Sequence, residues 1–527
     1  MAERRLVFDV SELKKVAAKA LNRPATDVIA VQKIAEGGFN RILEVTMNDD
    51  SSVLARLPYP ATLPRRLAVA SEVATLDFLR TNGIPVPRVL DYSTGENSVG
   101  VEYMLMERSP GKPLSDIWFS LAEEERCQIL HKIVLLETKL FAIKLPANGS
   151  IYYTRDLPPN SPRIDLPGSN SGLCVGPYVS TRWWYRERGD LEIDRGPRKF
   201  LQLIFGNQLS LVHVDIDPQL VLRSHAEKEL AWIRKYGGPR YPFYREYAES
   251  FGYKKQDPQD HVQSLEDYMR LVPHLVPKDA TVHSPTLRHP DLSPNNILVS
   301  DDLQITGFID WQHSEVLPAF LAADIPAAFA NYADEESRSF TEPKLPENLS
   351  SMAGNERAEA EELYRRRHIH FWYLGLTQML NEPHWQACTH DGTFMTRQIF
   401  HDAGAPWEGD NAHLQIGIAD VVEKWPVFAS AAGDGTVMPC PIVISKQEMQ
   451  RRADMRKSLH EGNMFREELC EELGISHSGY TSHEGFDFAK EKASKAKECI
   501  VDDLKDDPEE LERALLTWPF DDYDENE

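Results

Sequence analysis

Four side chains within one short stretch have the types and spacing that phosphoryl transfer requires. The run Leu287-Arg-His289-Pro-Asp291-Leu-Ser-Pro-Asn-Asn296-Ile-Leu-Val299 sets a polar loop between short apolar segments, in the pattern His-x-Asp-x-x-x-x-Asn. A turn at Ser300–Leu303 and a second apolar segment, Gln304–Ile309, then deliver Asp310, nineteen residues after Asp291. Moving a phosphoryl group onto a hydroxyl calls for one carboxylate that accepts the hydroxyl proton or aligns the hydroxyl with phosphorus. It calls for a second carboxylate and an amide oxygen to hold Mg2+ against the phosphates. A loop with Asp291 and Asn296 on one rim, and Asp310 across a hairpin, supplies both. The octet alone would arise by chance in roughly one such chain in twenty, so the hairpin and the second aspartate carry much of its specificity.

The elements that must position these groups are legible upstream. Residues 29–57 alternate as a meander, with strands at Ile29–Ile34, Ile42–Met47 and Ser52–Leu57 and turns at Glu36–Asn40 and Asn48–Ser51. Pro58, Pro60 and Pro64 interrupt regular structure, and a helix over 68–81 presents Val69, Val73, Leu76, Phe78 and Leu79 on one broad face. Two further strands, 88–93 and 101–107, complete a small α+β unit. Beyond the loop Ser109–Leu114, helices are predicted over about 115–143, 198–208, 215–236, 258–273, 356–382, 412–424 and 446–472. Residues 144–200 are rich in Pro, Gly and aromatics, and Trp183, Trp184 and Tyr185 read as core packing ahead of cleft lining. Near the start, Ser11 is the expected N-cap of a helix through Leu13, Val16, Ala17, Ala20 and Leu21.

Composition narrows the classes. The chain has 527 residues and a net charge of −24, with 42% hydrophobic residues, as in a protein with a sizeable core. Residues 501–527 hold twelve acids against Lys505 and Arg513, so −10 of the charge lies there and −14 in the rest. An acidic balance argues against general affinity for nucleic acid or an anionic membrane surface, and no apolar run approaches the roughly 18–20 residues that span a bilayer. The six cysteines form no CxxC pair, which leaves reduced thiols as the expectation. Six basic residues among the first 23 hint at a mitochondrial address, but Glu3, Asp9 and Glu12 interrupt them. A cytoplasmic location is expected, with a mitochondrial one as the alternative. His368, His370, His384, His390 and His401 match no metal spacing, and Arg365–Arg367 read as a solvated helix face.

The catalytic-type octet, its hairpin and the second aspartate resemble the aminoglycoside phosphotransferase-like kinases, relatives of the protein kinases. The AEGGFNR turn at 35–41, the DRGP run at 194–197, and HPDLSPNNILV followed by IDWQH resemble a fungal branch that includes the altered-inheritance-of-mitochondria kinase-like proteins. The resemblance covers about residues 29–330, and Glu361–Tyr373 and Pro406–Asp410 also fit it. It implies an α+β, bilobal protein kinase-like fold, with a small antiparallel-sheet N-lobe and a mainly helical C-lobe. It implies ATP as phosphoryl donor, Mg2+ as metal and a hydroxyl-bearing acceptor of unknown identity. Asp291 matches the catalytic-loop base, His289 the residue that organises the loop, and Asn296 and Asp310 the metal ligands. Gly37 and Gly38, with Phe39 and Asn40, match the nucleotide-covering turn. Arg56 stands where this fold usually has a lysine contacting the α/β-phosphates, and Glu72 is its expected ion-pair partner. Met106, Glu107 and Arg108 match the hinge, whose backbone would meet adenine.

Three departures from the family pattern stand out: a covering turn reduced to one glycine pair, Pro290 where many relatives have Gly, and Arg56 for Lys. They motivate the alternative, a catalytically weak or inactive nucleotide-binding scaffold. The intact trio Asp291, Asn296 and Asp310 favours the kinase. The expected domains are an N-terminal helical segment (1–25), an N-lobe (26–107), and a helical C-lobe (108–430) with an insertion at about 144–280 and the catalytic loop at 287–313. C-terminal helices and an acidic tail (431–527) follow. The sequence leaves the oligomeric state open.

Overall fold

Val45, Val53, Ala55, Leu57 and Leu105 are fully buried on one face of the N-terminal sheet, and their alternation is what pairs these strands. The computed structural model describes residues 5–168, 172–197, 217–429, 438–475 and 483–520. The helix predicted over 198–208 and the tail Asp521–Glu527 lie outside them. Helix α1 (Val10–Ala20) precedes strands β1 (Val28–Glu36), β2 (Asn40–Met47) and β3 (Ser52–Pro58). Helix α2 (Leu67–Thr81) and strands β4 (Val89–Ser93) and β5 (Tyr103–Glu107) follow. The five strands form an antiparallel sheet in the order β1-β2-β3-β5-β4, with Leu13, Ala17 and Ala18 of α1 in its core. The N-cap of α1 is Asp9, not Ser11: its carboxylate accepts from the amides of Ser11 (2.8 Å) and Glu12 (3.0 Å). A cap must stand just before the first helical residue to reach those amides, and Ser11 is already inside the helix.

The chain continues through the short strand β6 (Lys112–Pro113) and helix α3 (Glu123–Ala142). A three-stranded antiparallel sheet then forms within the Pro-, Gly- and aromatic-rich stretch to which the sequence assigned no strand: β7 (Ser150–Tyr153), β8 (Ile164–Asp165) and β9 (Leu173–Gly176). Tyr152, Leu157, Cys174 and Val179 pack against Ala68 and Ala70, so this small sheet braces α2. Helices α4 (Pro218–Tyr236) and α5 (Pro258–Leu275) follow. Next come β10 (Pro285–Leu287), β11 (Ile297–Val299), β12 (Ile305–Phe308) and β13 (Val316–Pro318). β11 pairs antiparallel with both β12 and β6, and β10 pairs with β13. The remaining helices are α6 (Ala319–Ala322), α7 (Glu335–Arg338), α8 (Gly354–Leu380), α9 (Glu382–Thr389) and α10 (Thr393–Gly404). They continue with α11 (Ala412–Glu423), α12 (Trp425–Phe428), α13 (Lys446–Leu473), α14 (His483–Leu504) and α15 (Pro508–Thr517).

The chain divides into two compact units, Met1–Val221 with Pro277–Phe394, and Leu222–Val276 with Met395–Glu527. Residues 222–276 of the expected insertion thus group with the C-terminal helices, and the rest with the first unit. The first unit has a small antiparallel-sheet lobe and a mainly helical lobe, the α+β, bilobal protein kinase-like arrangement. The second is helical, with Tyr247, Ala412, Met455 and Leu459 in one core cluster and Leu469, Leu473 and Trp518 in another. Among the described residues no helix is long and apolar enough to cross a membrane.

Candidate active site

The polar loop between β10 and β11 is organised by one imidazole. Buried His289 accepts the Asp291 amide at Nδ1 (3.1 Å) and meets the Ile309 carbonyl through Nε2 (2.8 Å). Because Nδ1 must accept, the ring is neutral with its proton on Nε2; burial pushes its pKa down, which favours that state. The same ring sits edge-on to buried Trp311, with centroids 4.6 Å apart. The Asn296 Nδ2 group donates to the Asp291 carbonyl (2.9 Å) and carboxylate (3.0 Å), and the Asn296 carbonyl accepts from the Ile309 amide (3.0 Å). Asp291 is exposed, with one carboxylate edge held by Asn296 and the other open to a ligand. These contacts bring Asp291, Asn296 and the residue before Asp310 onto one frame.

Arg56 enters this frame from β3, where it lies between Ile42 of β2 and Met104 of β5. Arg56 is buried, 8% exposed. Nη1 donates to Glu72 on α2 (2.6 Å), while Nη2 donates to Asp310 (2.6 Å) and to the Gln312 side-chain oxygen (2.7 Å). Burial opposes the Arg56 charge, but Glu72 and Asp310 outweigh it and raise the pKa further. Burial alone would raise the Asp310 carboxyl; Arg56 reverses this and holds it below its ordinary value. Burial pushes Glu72 up to about 7 against the pull of Arg56, yet a 2.6 Å contact is that of a charge-assisted bond, with Glu72 as carboxylate. The expected pair Arg56–Glu72 therefore forms, and Arg56 also reaches the expected metal ligand directly.

Three residues after Asp310 complete the frame. Asp310 and His313 both adopt left-handed backbone conformations, φ +64° each, so the chain turns sharply around Trp311 and Gln312. Asn40 approaches the Gln312 oxygen through its amide nitrogen (2.7 Å). With the Asn40 amide turned over, its oxygen instead accepts from Arg56 Nη2 (2.7 Å) and Nε (3.0 Å). His313 stands edge-on to Phe39 (5.0 Å) and bonds the Leu63 carbonyl (2.9 Å), and burial pushes its pKa down to about 4. Gly37 and Gly38 lie in the turn before Asn40, with open space around both and neither at positive φ. At the other end of the sheet, Met106, Glu107 and Arg108 close β5. The Glu107 amide donates to the Arg88 carbonyl (2.9 Å), and Arg108 pairs with Glu44 (2.6 Å).

The sequence did not single out Gln312, His313 or the buried network behind the loop. Arg288 donates to Glu137 of α3 (2.7 Å) and to the Tyr373 hydroxyl of α8 (2.9 Å), anchoring the catalytic-type loop to two helices. The IDWQH run was the only local sign of Gln312, and nothing in sequence pairs Arg288 with Glu137. Trp183 is fully buried and stacks on Tyr178 at 5.2 Å, as core packing would have it. Arg365 and Arg367 are committed to Glu362, Asp334 and Glu336. For a divalent cation, the fitting donors are the free edge of Asp310, whose side chain is 48% exposed, and the Asn296 carboxamide oxygen, since its nitrogen is used on Asp291. Both are hard oxygen ligands, the chemistry that suits Mg2+. Among the described residues no group of three or more His, Cys, Asp or Glu could hold a metal.

Residues 30–340, more than half of the chain, match the sequence profile of the phosphotransferase enzyme family. A subtelomeric hrmA-associated cluster protein of Aspergillus fumigatus is 30% identical over 513 residues, covering 94% of this chain and 97% of that one. The altered inheritance of mitochondria protein 9 of Kluyveromyces lactis is 24% identical, covering 82% of this chain and 71% of its own length. Among solved structures, the Plasmodium vivax ethanolamine kinase matches 82% of this chain and 85% of its own at 13% identity, with a TM-score of 0.34.

Proposed function

The chain belongs to the phosphotransferase enzyme family, and from that premise we propose that it is an ATP-dependent kinase of a small molecule bearing a hydroxyl group. The observation that carries the reading is the His289 clamp. One neutral imidazole ties the Asp291 amide to the Ile309 carbonyl, and so puts an exposed carboxylate on the same frame as Asn296 and the residue before Asp310, which would serve as oxygen ligands. Asp291 would orient the acceptor hydroxyl and take its proton as the O–P bond forms. Asn296 keeps the Asp291 carboxylate turned toward the acceptor. Asp310 and Asn296 would hold Mg2+, which supplies charge neutralisation for the phosphates. Arg56, fixed between Glu72 and Asp310, would present positive charge beside them, and the turn at Gly37–Asn40 would cover the nucleotide.

ADP release measured across a panel of hydroxyl metabolites tests this reading. Asp291→Asn and Asp310→Asn are each expected to lower turnover by about a hundredfold or more while the chain stays folded. Full activity in both variants with the same acceptor would sink it. One observation favours the scaffold as a second reading: the Arg56 fork is spent on Glu72, Asp310 and Gln312. Nucleotide binding without turnover of any acceptor would select that reading.

A further inference from the structure

Gln312 is 6% exposed, and its carboxamide oxygen receives the Arg56 Nη2 group from a strand 256 residues away in sequence. A buried amide that met no partner would be costly, so this contact is the reason a polar residue can stand there. Nη2 has two hydrogens, and the structure gives one to Asp310 and the other to Gln312. With the Asn40 nitrogen facing it and without the Gln312 oxygen, Arg56 would either carry an unpaired N–H or collapse onto Asp310; with the Asn40 amide turned over, Asn40 shares the Arg56 fork with Gln312. That collapse would draw the carboxylate away from a cation. A neutral acceptor divides the guanidinium without adding a further negative charge to the site.

The same side chain touches the covering turn. Asn40 is 8% exposed and sits at the start of β2, 2.7 Å from the Gln312 oxygen; with its amide turned over it accepts from Arg56 Nη2 at 2.7 Å, so in either orientation the Gln312–Arg56 pair meets it. Neither Gly37 nor Gly38 has any atom within 4 Å of where a Cβ would lie, and the Gly37 amide donates to the Asn40 carbonyl (3.0 Å), so the turn closes on Asn40. Its root is held at Asn40, and at Phe39 through His313.

We propose that Gln312 is a positioning residue for the nucleoside triphosphate. It holds Arg56 between Glu72 and Asp310 and fixes the root of the covering turn through Asn40, so that the phosphate-facing cation and the turn share one anchor. The proposal rests on the kinase reading above and adds a role for a residue outside the expected set. The test is calorimetric titration of the full-length chain with Mg2+·ADP, alongside ATP kinetics. Gln312→Leu keeps the side-chain size and removes the acceptor; it is expected to weaken Mg2+·ADP binding about tenfold and to raise KM for ATP more than it lowers kcat. Gln312→Glu keeps an acceptor but adds a negative charge, and is expected to bind Mg2+·ADP more tightly than Gln312→Leu and less tightly than wild type. Should the leucine variant fail to fold, Asn40→Leu removes the other end of the link and is expected to weaken binding likewise. Unchanged binding in the variant that folds overturns the proposal. So does Gln312→Glu binding as weakly as Gln312→Leu, which would make the residue a packing element. A wild-type chain that binds no Mg2+·ADP overturns instead the kinase reading on which the proposal stands.

Discussion

A lysine at position 56 could not reproduce what the guanidinium does. Two nitrogens of Arg56 serve Glu72, Asp310 and Gln312 at once, at 2.6–2.7 Å, whereas an ammonium is a single point. The substitution that looks like a defect in sequence is, in the fold, the hub of the site. Arg56→Ala would leave the 3%-exposed Glu72 as an uncompensated buried carboxylate, and is expected to cost about 3–5 kcal/mol in urea unfolding. A loss below about 1 kcal/mol would show that the pair is not structural. Asp291, Asn296 and Asp310 were legible as residues because their spacing is local and the loop and hairpin lie within a short stretch. Gln312 was not, since its partners Asn40 and Arg56 are 272 and 256 positions away.

At the scale of elements, the meander, α2 and the β11–β12 hairpin follow from alternation and turn residues, and the structure has them within a few positions of the expectation. The sheet of β7, β8 and β9 was missed because strands of two to four residues carry too few alternations to register. Its consequence is large: it packs on the helix that carries Glu72, so the ion pair with Arg56 is supported from behind. The loop Ser109–Leu114 was read as irregular, yet it contains β6, which pairs with β11 just after the catalytic-type loop. Gly111 makes that approach feasible, with φ +102° and a would-be Cβ 2.5 Å from the Val299 carbonyl oxygen. A side chain there meets backbone that cannot yield. Gly111→Ala is therefore expected to lower stability by about 1–3 kcal/mol, read as a drop in the thermal midpoint; an unchanged midpoint would refute the close approach.

For the molecule as a whole, the charge of −24 and the division into two units are the features that matter. An acidic chain is compatible with a nucleotide when a divalent cation stands between phosphate and carboxylate, so the charge does not argue against ATP. Each unit has its own buried clusters, and differential scanning calorimetry is expected to resolve two transitions. Mg2+·ADP at a hundredfold excess over Kd should stabilise the unit that holds the site by about 2.7 kcal/mol and leave the other in place. One transition shifted as a whole would contradict that expectation. The sequence by itself determined the chemistry on offer: carboxylates, an amide and an imidazole at phosphoryl-transfer spacing, and a sheet followed by helices to carry them. Such patterns are local, because periodicity and motif spacing are properties of neighbouring residues. Only the tertiary structure decided how these groups are held. The Arg56–Asp310–Gln312–Asn40 cluster, the Arg288–Glu137–Tyr373 anchor and the grouping of residues 222–276 with the C-terminal helices all join positions far apart in the chain, and burial and hydrogen bonding select such partners only once the chain has folded.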